Sequence, residues 1–210
     1  MKKTLATLAL ILASANAQAS NYIGMEVQSN KLGYSNKSIE GININAGDYY
    51  KDSATNLTLV FGHKIEKDLA LEFNYSRIQT DKSNNSTGLY HTTTLEELTA
   101  STKANYNLVD FDLVKSYNIA NNFNLFALAG LKAGQAKFEE NFNFLPSNSV
   151  TKYGYGINAG FGASYAITKE FEVRAKVRYS LLTGFDSSKI YGHDGLDNML
   201  TFAAGVNYKF

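Results

Sequence analysis

The sequence predicts an all-β fold: an eight-stranded antiparallel up-and-down transmembrane β-barrel. Three observations predict it. Apolar residues recur at every second position in segment after segment, the signature of strands rather than helices. The connections between these segments alternate between short and long, as hairpins joining neighbouring strands would. After the N-terminal region no apolar run approaches the about 20 residues that a membrane helix needs.

Composition agrees with this class. Of 210 residues, 44% are hydrophobic and 19% charged, with no Cys, no Trp and one Pro. Without Cys there is no disulfide scaffold, no thiol nucleophile and no Cys-ligated metal. Aromatics make up 13% of the chain, too many for a solvated disordered tail. A formal charge of +1 gives no reason to expect a nucleic-acid partner.

Residues 1–19 read as an address. Lys2 and Lys3 give a positive start, Leu5 to Ala13 a short apolar stretch, and Ala17-Gln18-Ala19 a processing site. These are the parts of a secretory signal peptide, with cleavage expected before Ser20. Residues 20–210 are then expected to form a single barrel domain.

The strands follow in order. Ile23, Met25 and Val27 oppose Tyr22, Gly24, Glu26 and Gln28. Leu57, Leu59 and Phe61 oppose Asn56, Thr58, Val60 and Gly62. Leu69, Leu71, Phe73 and Tyr75 oppose Ala70, Glu72, Asn74 and Ser76. Around Val109, Phe111 and Leu113, the other face carries Asp110 and Asp112. The run Leu125 to Lys137 is ambiguous by hydropathy, and Lys132 argues that Ala129, Leu131 and Ala133 share the greasy face. Tyr153, Tyr155, Ile157, Ala159, Phe161, Ala163 and Tyr165 oppose a Gly-rich set from Gly154 to Ser164. Val173, Ala175, Val177, Tyr179 and Leu181 oppose Glu172, Arg174, Lys176, Arg178 and Ser180. Last, Leu200, Phe202, Ala204, Val206, Tyr208 and Phe210 oppose Thr201, Ala203, Gly205, Asn207 and Lys209.

Short connections are expected at His63–Asp68, Asn118–Asn122 and Ile167–Glu170, and long polar ones at Leu32–Ser53, Gln79–Lys103, Glu139–Val150 and Thr183–Asn198. A narrow barrel interior cannot hold the Tyr, Phe and Leu of eight greasy faces, but it can hold Gly beside Arg and Glu. The greasy faces are therefore expected outside, against lipid. Closure is then obligatory, because an open edge in hydrocarbon leaves backbone groups unpaired. Two aromatic girdles are expected: Tyr22, Phe61, Tyr117, Phe123, Tyr165, Phe171, Tyr208 and Phe210 near the short turns, and Tyr34, Tyr75, Tyr106, Phe138, Tyr153, Tyr155 and Tyr179 near the long loops.

The terminal Gly205-x-x-Tyr208-x-Phe210 and the Gly-rich run Gly154 to Gly162 carry a family resemblance. The chain resembles the small eight-stranded outer-membrane barrels of Gram-negative bacteria: the OmpA membrane domain, the OmpX/Ail group and the opacity-protein group. The resemblance covers essentially all of residues 20–210 as architecture. It implies short periplasmic turns, long extracellular loops, and recognition of the Phe210 signal by the barrel-assembly machinery. No peptidoglycan-binding segment follows, so a cell-wall role is not implied.

The inward set is expected to hold the acids Glu26, Glu72, Asp110, Asp112 and Glu172 and the bases Arg174, Lys176 and Arg178, with Lys132 and Lys209 as further candidates. An interior just wide enough for side chains favours cross-paired charges that plug the bore over an ion path. His91 and His193, with Ser187, Ser188, Asp186 and Asp194, form no catalytic pattern. His193-Asp194-Gly195-Leu196-Asp197 lacks cation-ligand spacing. No catalytic, cofactor-binding or metal-binding residues are expected, and no enzyme activity. The loop residues Ile39, Ile42, Ile44, Leu89, Tyr90, Leu95, Leu98, Phe142, Phe144, Leu145, Ile190 and Tyr191 are more apolar than solvated loops need. They are expected to pack together, extend the strands or meet a partner.

The function expected is a structural or host- and envelope-interacting outer-membrane barrel with a plugged lumen. A small porin passing ions or small solutes is the alternative, and a lipid-modifying enzyme ranks third. The expected partners are outer-membrane lipid and lipopolysaccharide, the barrel-assembly machinery, and host or envelope surface ligands. A monomer is expected.

Overall fold

A computed structural model describes residues 21–34, 36–39, 42–45, 51–90, 97–142, 147–185 and 195–210. Ten strands follow in chain order: β1 (Asn21–Tyr34), β2 (Asn36–Ile39), β3 (Ile42–Asn45), β4 (Ser53–Glu66), β5 (Leu69–Tyr90), β6 (Glu97–Ala120), β7 (Phe123–Phe142), β8 (Asn148–Ala166), β9 (Phe171–Thr183) and β10 (Leu196–Lys209). Eight of them close a barrel in the order β1-β10-β9-β8-β7-β6-β5-β4, and β2 and β3 form a separate two-stranded hairpin in the first long connection. Every neighbouring pair in the barrel is antiparallel. The seam joins the first and last barrel strands, β1 and β10. Asn21 N–H donates to Phe210 O (3.1 Å) and Phe210 N–H donates to Asn21 O (2.9 Å).

Side chains alternate across the wall as period 2 requires. On β7, Leu131 is 64% exposed while its neighbour Lys132 is 2% exposed, so Lys132 does set the face of that strand. Ile23, Met25 and Val27, Phe111 and Leu113, Ile157 and Phe161, and Phe202 and Val206 all point outward. They form the apolar belt that a lipid-facing wall needs. Near the short turns the belt ends in rings, with Phe171 5.2 Å from Tyr208 and Tyr208 stacked on Phe210 at 6.3 Å.

The expected short turns are present. The expected second and third long loops are instead mostly strand, since β5 continues to Tyr90, β6 starts at Glu97, β7 continues to Phe142 and β8 starts at Asn148. The ladder carries on through Lys82↔Thr102, Asn85↔Ala100 and Tyr90↔Glu97. The first long connection, expected as loop, holds the β2–β3 hairpin, where Ile39 pairs with Ile42. Of the apolar loop residues, Leu89, Tyr90, Leu98 and Phe142 lie on barrel strands and Ile39, Ile42 and Ile44 on the hairpin. Leu95, Phe144, Leu145, Ile190 and Tyr191 lie outside the described residues.

These extensions are polar, so their strand character needs a cause. The alternation continues, but its sense reverses. On β5 the outward residues run Leu71, Phe73, Tyr75 and then Arg77, Gln79, Asp81, while the inward ones run Glu72, Asn74, Ser76 and then Ile78. On β6 the outward residues pass from Leu113, Phe111 and Val109 to Asn107, Asn105 and Lys103, and the inward ones from Asp112 and Asp110 to Leu108, Tyr106 and Ala104. On β7 the change lies between Ala133 and Gln135 outside, and between Lys132 and Ala136 inside. Tyr75, Val109 and Ala133 are register partners, so the reversal forms one line across three strands. Below it the surroundings are hydrocarbon, and greasy residues go out. Above it the surroundings are water, and the hydrophobic effect puts them in.

Candidate functional site: the filled lumen and the projecting wall

The inward side chains lie in three layers along the barrel. Nearest the short turns lies an apolar layer of Tyr22, Val60, Ala70, Val114, Phe126 and Leu128. Tyr22 and Phe126 are large for a narrow barrel, and glycine makes room for them. A Cβ on Gly62 would strike the Tyr22 ring, and one on Gly162 would strike the Phe126 ring.

The middle layer is ionic. Arg174 grips Glu72 with both terminal nitrogens and sets its Nε 3.3 Å from Glu26. Lys176 Nζ lies 2.9 Å from Glu26 and 3.9 Å from Glu72. Arg178 reaches Asp110 and Asp112, each at 2.5 Å, and Lys132 pairs with Asp110. Neutral donors add to the ion pairs: Tyr22 Oη donates to Glu72 (2.6 Å), Asn74 Nδ2 to Asp112 (3.0 Å) and Asn158 Nδ2 to Asp110 (3.4 Å). The Arg174 guanidinium also lies 4.7 Å from the centre of the Phe126 ring, in cation–π range. Four acids face four bases here, so the layer is neutral as a whole. Charges this deeply buried are tolerable only when paired and hydrogen-bonded.

The third layer, nearest the long loops, is a hydrophobic core of Leu32, Ile78, Ala104, Tyr106, Leu108, Ala136, Phe138, Leu182, Phe185, Leu196 and Met199. Its rings meet edge-on, with Tyr106 5.8 Å from Phe138 and 6.4 Å from Phe185. Gly184, at φ 85°, turns the chain so that Phe185 folds back inside and covers Gly154. A positive φ is open to Gly and strained for most side chains. Tyr34 Oη meets Tyr106 Oη at 3.1 Å, under the rim.

The inward set read from the sequence is thus brought together. Glu26, Glu72, Asp110, Asp112, Arg174, Lys176, Arg178 and Lys132 form one network. Lys209 and Glu172 pair with each other at 2.6 Å, apart from it at the short-turn mouth. The greasy faces do lie outside, and the first and third layers add large apolar side chains to the inward set read from the sequence. The girdle assignment is corrected with it: Tyr22, Tyr106 and Phe138 are buried inside the barrel, and Tyr34 is partly buried with its hydroxyl on Tyr106. Parity along β1, β6 and β7 carried that information, because these rings stand in step with Glu26, Asp110 and Lys132. His91, Ser187, Ser188, Asp186, His193 and Asp194 lie outside the described residues.

Above the reversal line the strands form a wall. β5, β6, β7 and β8 have 22, 24, 20 and 19 residues, against 13 or 14 for the other barrel strands. At about 3.4 Å per residue and a tilt of about 45°, β6 rises roughly 55 Å. An outer-membrane apolar band is about 25 Å tall. The outer surface of the wall carries charge pairs, Lys103–Asp81 at 3.7 Å and Lys137–Glu139 at 2.5 Å. The Lys137 ammonium beside Glu139 holds that carboxyl below the usual carboxylate range. At the opposite end, Lys115 lies 2.6 Å from Asp68 in a short turn and lowers its carboxyl in the same way.

Known proteins agree with this architecture. Among solved structures the chain is similar to Neisserial surface protein A, with 15% identity, TM-score 0.60, and coverage of 91% of this chain and 99% of that one. It is similar to Ail, the attachment invasion locus protein of Yersinia pestis, solved with the heparin analogue sucrose octasulfate, with 16% identity, TM-score 0.53, and coverage of 91% and 99%. No curated protein matches the chain significantly. The family described as "Outer membrane protein beta-barrel domain" matches residues 5–210. With that match over nearly the whole chain, on a closed eight-stranded barrel with a greasy outside, the protein belongs to the outer membrane β-barrel family and resides in the outer membrane of a Gram-negative cell.

Proposed function

We propose that this barrel is a surface-interaction and structural protein, not a pore and not an enzyme. The observation that supports this most is the apolar core inside the upper barrel. It closes the bore a second time above the ion pairs, and it supports the long strands that rise beyond the membrane. A porin of this fold would need a water column where Tyr106, Phe138 and Phe185 stand. Among the described residues, the upper ends of β5 and β8 each have one side without a strand partner. The β5 ladder to β4 starts at Ser76 and the β9 ladder to β8 ends at Tyr155, so upper β5 and β8 offer backbone and side chains to surface or envelope ligands. A sulfated polyanion of the kind bound by Ail is not the ligand proposed, since the long connections carry no basic excess.

Residues 1–19 are removed on export in this reading, the Phe210 signal addresses the chain to the barrel-assembly machinery, and the barrel works as a monomer in contact with outer-membrane lipid and lipopolysaccharide. The test is single-channel recording on purified, refolded protein. The expected result is no steady conductance. Stable openings of porin size would replace this reading with the small-porin one.

A further inference from the structure

The reversal line places the lipid–water boundary on named residues, and what stands above it is uneven around the barrel. On β5, β6 and β7 the first outward row above the line is Arg77, Asn107 and Gln135, which are register partners. The second row is Gln79, Asn105 and Lys137, and the third Asp81, Lys103 and Glu139. Elsewhere the outward residues above the apolar belt include Ser29 and Lys31 on β1, Thr55 and Ser53 on β4, Thr151 and Ser149 on β8, and Thr183 on β9. Lys31 stands there as a single base, without amide neighbours in its row.

Two acids of the wall are already answered, Asp81 by Lys103 and Glu139 by Lys137. Arg77 is exposed and pairs with no acid among the described residues. Its amide neighbours are oriented by their own bonds. Tyr75 Oη donates to Asn107 Oδ1 (3.3 Å), and Gln79 Nε2 donates to Asn105 Oδ1 (2.8 Å). Both oxygens are engaged, so both Asn side chains present their NH2 ends. An unanswered guanidinium beside two donor amides is an anion-binding surface, and a planar fork of donors suits phosphate. Its height selects the source of that phosphate. Arg77 follows Tyr75 directly on the outer face, at the level where headgroups meet the exposed Tyr153 and Tyr155 rings.

We propose that the outer face of β5, β6 and β7 binds a phosphate of an outer-leaflet glycolipid, with Arg77 as the charged anchor and Asn107 and Asn105 as donors. The proposal rests on the membrane orientation with the long loops outward, and it deepens the lipid contact proposed above by giving it a site. Arg77 is not needed for folding, because it lies outside all three lumen layers.

The experiment is native mass spectrometry of the full barrel refolded in neutral detergent, with two probes: lipid A carrying both phosphates, and lipid A stripped of them. Phosphorylated lipid A should be retained about tenfold better, the worth of a charge-assisted hydrogen bond at a partly exposed site. Arg77→Gln should abolish that preference, and Lys31→Gln on β1, two strands away from β5, should keep it. Inorganic phosphate at matched concentration should not compete. Equal retention of both lipids, an unchanged preference in Arg77→Gln, an equal loss in Lys31→Gln, or full displacement by inorganic phosphate would each overturn the proposal. Strand-type circular dichroism and heat-modifiable migration of each variant report separately on the barrel, so a failed fold and a failed site give different results.

Discussion

Glu72 shows how one side chain can belong to two layers of the lumen. It accepts from Tyr22 at the edge of the lower apolar layer and from Arg174 in the ionic layer. Glu72→Ala would leave Arg174 with Glu26 as its remaining carboxylate and Tyr22 without its acceptor. Breaking one partner of a buried pair costs about 3–5 kcal/mol, which urea unfolding in lipid vesicles would read as an earlier midpoint. Asp81 offers the contrast, because its pair with Lys103 is exposed and such pairs are worth about 0–1 kcal/mol. Asp81→Ala should leave the midpoint within error. Leak current should not rise in Glu72→Ala, because the apolar core above the network remains in place. A leaking Glu72→Ala barrel would show that the ion pairs alone close the bore.

At the scale of the strand, β6 crosses from one solvent to another without breaking its ladder. That makes it a ruler for the reversal line. Leu113 faces outward within the apolar belt, and Asn105 faces outward above the line. Leu113→Arg should destabilise the barrel by about 2–4 kcal/mol if Leu113 lies near the midplane, while Asn105→Arg, in water, should change stability by less than about 0.5 kcal/mol. Equal effects in a vesicle-based unfolding titration would mean that the reversal does not mark the membrane surface. The connections carry a matching expectation about sidedness. Lys37 on β2 and Lys82 on β5 belong to the long-loop end, and Lys67 and Lys169 to the short turns. An impermeant amine reagent on intact cells should label the first two and spare the others. Labelling of Lys67 in sealed cells would reverse the orientation.

For the molecule as a whole, closure dominates. Each barrel strand has a neighbour on both sides, and in hydrocarbon there is no water to replace a broken backbone bond. The barrel should therefore persist in cold detergent and migrate differently in gels before and after boiling. Identical migration, with no strand signal in circular dichroism, would contradict a closed barrel. The three-layer filling adds a second kind of cohesion. A barrel held only by its ladder could breathe, whereas this one also packs side chains across its axis, from Tyr22 below to Phe185 above.

Strand number, face assignment and the inward charges were legible in the sequence because period 2 is a local property. A Lys or Glu among Ala and Gly declares its face without reference to any other strand. Lys132 did so for β7, and Arg174, Lys176 and Arg178 did so for β9. The partners of those charges were legible as a set, since a narrow lumen leaves acids and bases few others to choose. Which acid meets which base was decided by register, and register depends on the seam and the tilt of all eight strands. The extent of β5 to β8 was hidden for a related reason. Gln79, Asp81, Lys103 and Glu139 read as loop because polarity was taken as the sign of a turn. In fact it marked the same strand in a different solvent. Hydropathy records the solvent on each face, and only the closed barrel shows that the solvent outside changes at Tyr75, Val109 and Ala133. The upper core followed from that change. Ile78, Tyr106 and Phe138 are greasy residues on inward parity, and the wall standing in water supplies the reason that they face inward.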